Sequence, residues 1–164
     1  MQINLLTAFA AAFGVFEGLI AKITALAILL PVAAGQSGNA SAQALAVSLR
    51  GLISREITTG HWHKVLFKEM LAGRLNGIAI AVTCSICVYL WSQSFGLALV
   101  IGLAMISSLV IAGSAGAVVP IALKKFGLDP AQSSSIVLTT ITDIAGFLSF
   151  LGIALLLSDR LPRS

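Results

Sequence analysis

Apolar residues run along this chain in long blocks, and short polar stretches separate them. Blocks at residues 3–20, 23–49, 75–91, 96–123 and 131–157 each have the length of a transmembrane helix, given a rise of about 1.5 Å per residue and a hydrocarbon layer of ~30 Å. The longest polar interval follows the second block and holds Arg50, Arg55, Glu56, His61, His63, Lys64, Lys68, Glu69 and Arg74. Apolar Val65, Leu66, Phe67, Met70 and Leu71 are interleaved there, which predicts an amphipathic helix over about 54–73, lying at the membrane surface and leading into the third block. The pattern predicts an all-α polytopic membrane protein with five transmembrane helices, the first read as a retained helix rather than a cleaved leader.

Composition agrees. Hydrophobic residues make up 58% of the 164 residues and charged residues 10%, against about 25% charged in soluble domains. Mean hydropathy is +1.03. The net charge of +4 is concentrated in short loops, so it reads as membrane topology and not as affinity for nucleic acid. Seven of the ten basic residues (Arg50, Arg55, Lys64, Lys68, Arg74, Lys124 and Lys125) follow the second and fourth blocks. The positive-inside rule then puts the N-terminus in the cytoplasm and the C-terminus outside. Cys84 and Cys87 form a C-x-x-C pair, but inside an apolar helix they are expected to be small filler. His61 and His63 flank Trp62 in the basic loop and make at best a weak metal pair, while Gly73 and Gly77 are spaced for a helix contact. No nucleophile–base pair can be assembled, so the chain is not expected to be an enzyme.

One residue conflicts with its surroundings. Asp143 sits at the middle of the fifth block, where a carboxylate costs at least ~2.5 kcal/mol to insert. Ser135, Thr139, Asp143 and Gly146 recur at helical spacing as one polar, small-residue stripe. Gly35, Asn39, Ala42, Gln43, Ala46 and Arg50 do the same on the second block. That block is expected to be broken internally, because Pro31 frees the carbonyl of Ala27 and Ala34-Gly35-Gln36-Ser37-Gly38-Asn39 is poor helix sequence. Two polar stripes and a break at equal depth predict a water-filled path, with Gln43, Ser135 and Gly146 among its lining. Carboxylate, amide and carbonyl oxygens suit hard divalent ions, Mg²⁺, Ca²⁺ or Mn²⁺. One carboxylate cannot neutralise such an ion; two can, and a two-fold homodimer would bring two copies of Asp143 to its axis.

At these residues the sequence resembles the MgtE family of magnesium transporters and channels. Asn4-Leu5-Leu6-Thr7-Ala8-Phe9 with Phe16-Glu17 is similar to the family's first helix. Leu30-Pro31-Val32-Ala33-Ala34-Gly35-Gln36-Ser37-Gly38-Asn39-Ala40-Ser41-Ala42-Gln43, then Arg50-Gly51-Leu52, resembles its most diagnostic stretch. Leu138-Thr139-Thr140-Ile141-Thr142-Asp143-Ile144-Ala145-Gly146-Phe147 resembles its fifth helix. The resemblance implies a homodimer with an axial pore in a bacterial inner membrane, carrying largely hydrated Mg²⁺, with Mn²⁺, Co²⁺ and Ca²⁺ as further candidate ions. It implies that Asp143 and the main chain of Thr139 hold the central ion, with main-chain groups at Gly35 and Gly38 and the side chain of Asn39 close by. It also implies an outer acidic residue at Glu17 and an inner metal site at Asp129. Family members carry cytoplasmic sensor domains before the first helix; residue 1 already lies at that helix, so a sensing gate is expected to be missing and the role of Asp129 stays open. The rival readings are a proton- or sodium-coupled transporter that titrates Asp143, and a non-transporting assembly subunit.

Overall fold

The computed structural model describes residues 24–55, 62–158 and 161, with side chains left aside at Thr24 and residues 131–134. It is all helical there: α1 (Thr24–Ile53), α2 (Trp62–Ser92), α3 (Phe95–Lys125) and α4 (Pro130–Leu156). The helix expected at 3–20, with Glu17, lies outside the described residues, as does His61. By length and composition α2, α3 and residues Ser135–Leu156 of α4 are apolar enough to cross a membrane. Large apolar side chains of α2, among them Leu75, Ile78, Val82, Ile86 and Leu90, point outward. In water such a surface would be a liability, whereas in lipid it is the solvated face. This is an integral membrane protein.

Two sequence expectations change. Residues 23–49 were expected to break, but α1 is one continuous helix with Pro31 inside it. An unmade backbone hydrogen bond in a low-dielectric interior costs more than the glycine entropy, so the ladder holds around the proline. The hydroxyls of Ser37 and Ser41 also fold back and donate to the carbonyls of Ala34 and Gly38, at 2.9 Å each. The surface helix expected over 54–73 is not a separate element: from Trp62 onward it is the opening of α2. Nothing between Trp62 and Leu75 breaks a helix except Gly73, and Gly73 is held tightly against α3.

The turns are set by local chemistry. The α2–α3 link is Gln93, in a left-handed conformation with φ 52°, and Ser94, whose side chain caps α3 by accepting from the Leu97 N–H. At the end of α3, Gly127 takes φ 75°. The N–H groups of Gly127 and Leu128 then return to the carbonyls of Lys124 and Leu123, a Schellman closure that needs glycine at that position. Asp129 and Pro130 follow, with proline as the first residue of α4.

α3 is the central helix and packs against α1, α2 and α4. One half of the bundle is filled by large side chains: Leu26 and Leu30 of α1, Ile101 and Met105 of α3, Phe147 and Phe150 of α4. The other half closes through small residues. A Cβ placed on Gly116 would stand 2.6 Å from the Ala44 Cβ and 2.7 Å from the Ser41 carbonyl oxygen. One on Gly73 would stand 2.7 Å from the Leu109 carbonyl oxygen, and one on Gly77 3.0 Å from the Ile106 Cα. The obstructing atoms are mostly backbone, so they cannot swing aside. Gly116→Val is therefore expected to lower stability by about 1–3 kcal/mol, the usual range for overpacking. Gly152→Ala, in open space, is expected to leave stability unchanged or slightly raised. Thermal unfolding in detergent, followed by circular dichroism, distinguishes the two; equal midpoints would overturn the packing assignment.

Candidate functional site

The midpoints of α1 and α4 meet. Ser37 donates a hydrogen bond to the carbonyl of Thr142, at 3.2 Å. One turn on, Gly146 lies against α1 so closely that a Cβ there would stand 3.0 Å from Ser37 Oγ and 3.2 Å from Ala34 Cα. Thr142 leads directly into Asp143, so the glycine-rich stretch of α1 and the carboxylate share one depth. Thr142 is itself fully buried, and its hydroxyl donates to the carbonyls of Leu138 and Thr139. Thr139 is half-buried and its hydroxyl donates to the Ser135 carbonyl at 2.8 Å. These threonines donate their hydroxyl protons to their own helix, which leaves their oxygens as acceptors only, beside the main-chain groups and Asp143.

Asp143 is 8% exposed. Among the described residues it accepts no hydrogen bond and makes no ion pair. It belongs to no group of three or more acidic, His or Cys side chains among those residues. A carboxylate at this depth with no partner among the described residues is costly, and its oxygens keep an accessible edge.

The α1 stripe lies open. Gly35, Asn39, Ala42, Gln43, Ala46 and Arg50 are all exposed. A Cβ on Gly35 or Gly38 would meet nothing within 4 Å. Neither glycine is required by packing within the described chain, although each weakens the helix by ~1 kcal/mol relative to alanine. Of the other sequence-derived candidates, Ser135 and Asp129 are exposed, and Gly146 is buried in the α1–α4 contact.

The structure adds residues that sequence reading did not single out as site residues. Gln36 and Asn76 join Asn39 and Gln43 around a cleft of about 270 Å³ between α1 and α2, with Ala40, Ala79, Ile80 and Leu109 also lining it. Asn76 stands alone as an amide in the apolar run of α2, and that isolation was the available signal. The amides open beside α2, whereas Asp143 packs on the α1 flank marked by Ala34 and Ser37. One chain does not bring the two sets together.

Known proteins are similar in sequence to this chain. Residues 30–153 match the sequence model of the MgtE family, described as divalent cation transporter. A magnesium transporter MgtE of Enterococcus faecalis is 32% identical over 139 residues, covering 85% of this chain and 31% of that protein. The magnesium transporter MgtE of Thermus thermophilus is 33% identical over 144 residues, 88% of this chain and 32% of that protein. That of Bacillus subtilis is 32% identical over 139 residues, 85% and 31%. The chain thus spans about a third of the length of these relatives. With the family match covering most of its length, the chain belongs to the MgtE family of divalent cation transporters.

Proposed function

We propose that two copies of this chain form a pore that carries Mg²⁺ across the membrane, with a hydrated ion held between two Asp143 carboxylates on the two-fold axis. The observation that carries this reading is Asp143 itself, nearly buried and unpartnered among the described residues. A second copy and a cation would supply the missing countercharge. The exposed polar face of α1 supports it, since a membrane helix presents such a face to water or to protein and not to lipid. Gly35 and Gly38 then gain a reason: they keep that face thin where the partner and the ion approach. Thr139 would contribute its main-chain carbonyl one turn from Asp143, and Ser135, Asn39 and Gln43 would give the path its polar lining. Five helices per chain, the first at 3–20, complete the arrangement.

The site is too sparse to replace the ion's water. Mg²⁺ demands six oxygen ligands at about 2.1 Å and dehydrates reluctantly, while each chain offers one carboxylate. An ion that keeps its shell suits the available groups. Basic residues cluster at Arg50, Arg55, Lys64, Lys68, Arg74, Lys124 and Lys125, and they set the orientation: in a bacterial inner membrane that end is cytoplasmic, with the N-terminus inside and the C-terminus outside. The membrane potential then draws a divalent ion inward with about 4.6 kcal/mol per 100 mV.

Asp143→Asn and Asp143→Ala proteins in liposomes loaded with a Mg²⁺ dye should show inward flux reduced by roughly tenfold or more, equivalent to ~1.4 kcal/mol. Normal flux in both would sink the pore site and favour an assembly subunit. Flux that requires an imposed proton or sodium gradient would favour a coupled carrier.

Gly35→Ala and Gly38→Ala separate the pore reading from packing. Each should leave the unfolding midpoint unchanged or raise it, by up to about 1 kcal/mol of helix propensity, while lowering flux severalfold. Unimpaired flux in both would remove these glycines from the path.

A further inference from the structure

A second feature lies at the opposite end of α3 from the Ser94 cap. The opening of α2 and the last turns of α3 enclose a cavity of about 200 Å³ lined by Trp62, Val118, Ile121, Ala122 and Lys125. We propose that this cavity binds an anionic phospholipid, its phosphate on the Lys125 amine and one acyl chain along Val118, Ile121 and Ala122. The occupant is set by charge and by place. The walls are apolar but the rim is cationic, which fits a molecule with an acidic head and a hydrocarbon tail. The apolar run of α3 ends at Lys124 and Lys125, so the rim lies where hydrocarbon gives way to headgroups. Trp62 supplies the amphipathic ring usual at that level, and it is held in place by the His63 ring, with centroids 3.6 Å apart. The neighbouring turn is shaped for the same environment: Phe126 is 79% exposed and Leu128 53%, both able to dip into the interface.

The two adjacent lysines have separate duties. Lys124 donates to the Leu52 carbonyl at 3.3 Å, satisfying the last turn of α1 with a cation. Lys125 lines the cavity instead. The first turn of α2 contains no acidic residue that would oppose a phosphate there. Basic cavities between transmembrane helices recur as sites for acidic headgroups.

The test uses the full chain with Trp91→Phe, which leaves Trp62 as the sole tryptophan, reconstituted with brominated phosphatidylglycerol or brominated phosphatidylcholine. Phosphatidylglycerol should quench Trp62 at a lower mole fraction than phosphatidylcholine. Lys125→Gln should raise that half-quenching fraction about five-fold, the weight of one lysine at an anionic surface, whereas Lys64→Gln, on an exposed position outside the cavity, should not. Native mass spectrometry of chains that retain Trp91 gives an independent count: phosphatidylglycerol should stay bound through delipidation and be lost in Lys125→Gln but not in Lys64→Gln. Equal quenching by the two lipids, or equal loss in the two lysine variants, overturns the site.

Discussion

Apolar side chains do not drive helices together in lipid, because the lipid is as apolar as they are. This bundle depends on close backbone approach. α3 is its axis, and three neighbours are fitted to it or to each other at glycine: Gly116 on α1, Gly73 and Gly77 of α2 on α3, Gly146 of α4 on α1. At such distances dispersion acts between many atoms at once, and backbone carbonyls come within reach of partner hydroxyls. Ser85 of α2 donates to the Ala98 carbonyl of α3 at 2.8 Å, and Ser37 of α1 to that of Thr142 at 3.2 Å. Each such bond adds a modest increment, but it also fixes the sliding register of one helix on the next.

Register matters most between α1 and α4. The Gly146 contact and the Ser37 bond lock Ala33–Ser37 opposite Thr142–Gly146, and so set Asp143 at the depth of Gly35 and Gly38. The same contact turns the serine and alanine side of α1 inward and leaves its glycine and amide side out. The polar outer face of α1 is thus the side left over once its serine and alanine face is packed. Mutations that loosen Gly146 would move the carboxylate relative to the α1 stripe without touching either.

Much of this was legible in the sequence, for a reason specific to membranes. Long apolar runs leave few alternatives to helix, so α2, α3 and α4 were visible from periodicity and length, as was the Gly73–Gly77 contact. That Asp143 lies level with the glycine stretch of α1 followed from counting residues. The break in α1 was misread because glycine and proline were weighted as they would be in water; in lipid the cost of an open backbone group is larger, and Ser37 and Ser41 assist. The opening of α2 was misread because charge was taken as a boundary, whereas exposed Lys64 and Lys68 sit on the same helix that Gly73 anchors. The amide cleft was not legible, since Gln36 and Asn76 are forty residues apart in sequence and only the packing of α1 and α2 on a common α3 brings them to one cleft. The division of labour between Lys124 and Lys125 likewise appears only when α1 ends beside α3.

The spareness of the charged residues at membrane depth is itself informative. In the proposed pore, a path with several carboxylates per chain would bind a divalent ion too well to release it. Conduction requires sites strong enough to enter and weak enough to leave. One acidic residue at this depth among the described residues of each chain, with neutral amides and main-chain oxygens around it, would provide a single strong point reached through weak ones. Thr139 and Thr142 donate their hydroxyl protons within α4, Ser37 bridges from α1 to the Thr142 carbonyl, and Gly35 and Gly38 present no side chain at all. In that pore the ion would be selected by the size and charge of its hydrated form, a criterion that a rigid, glycine-spaced helix could apply.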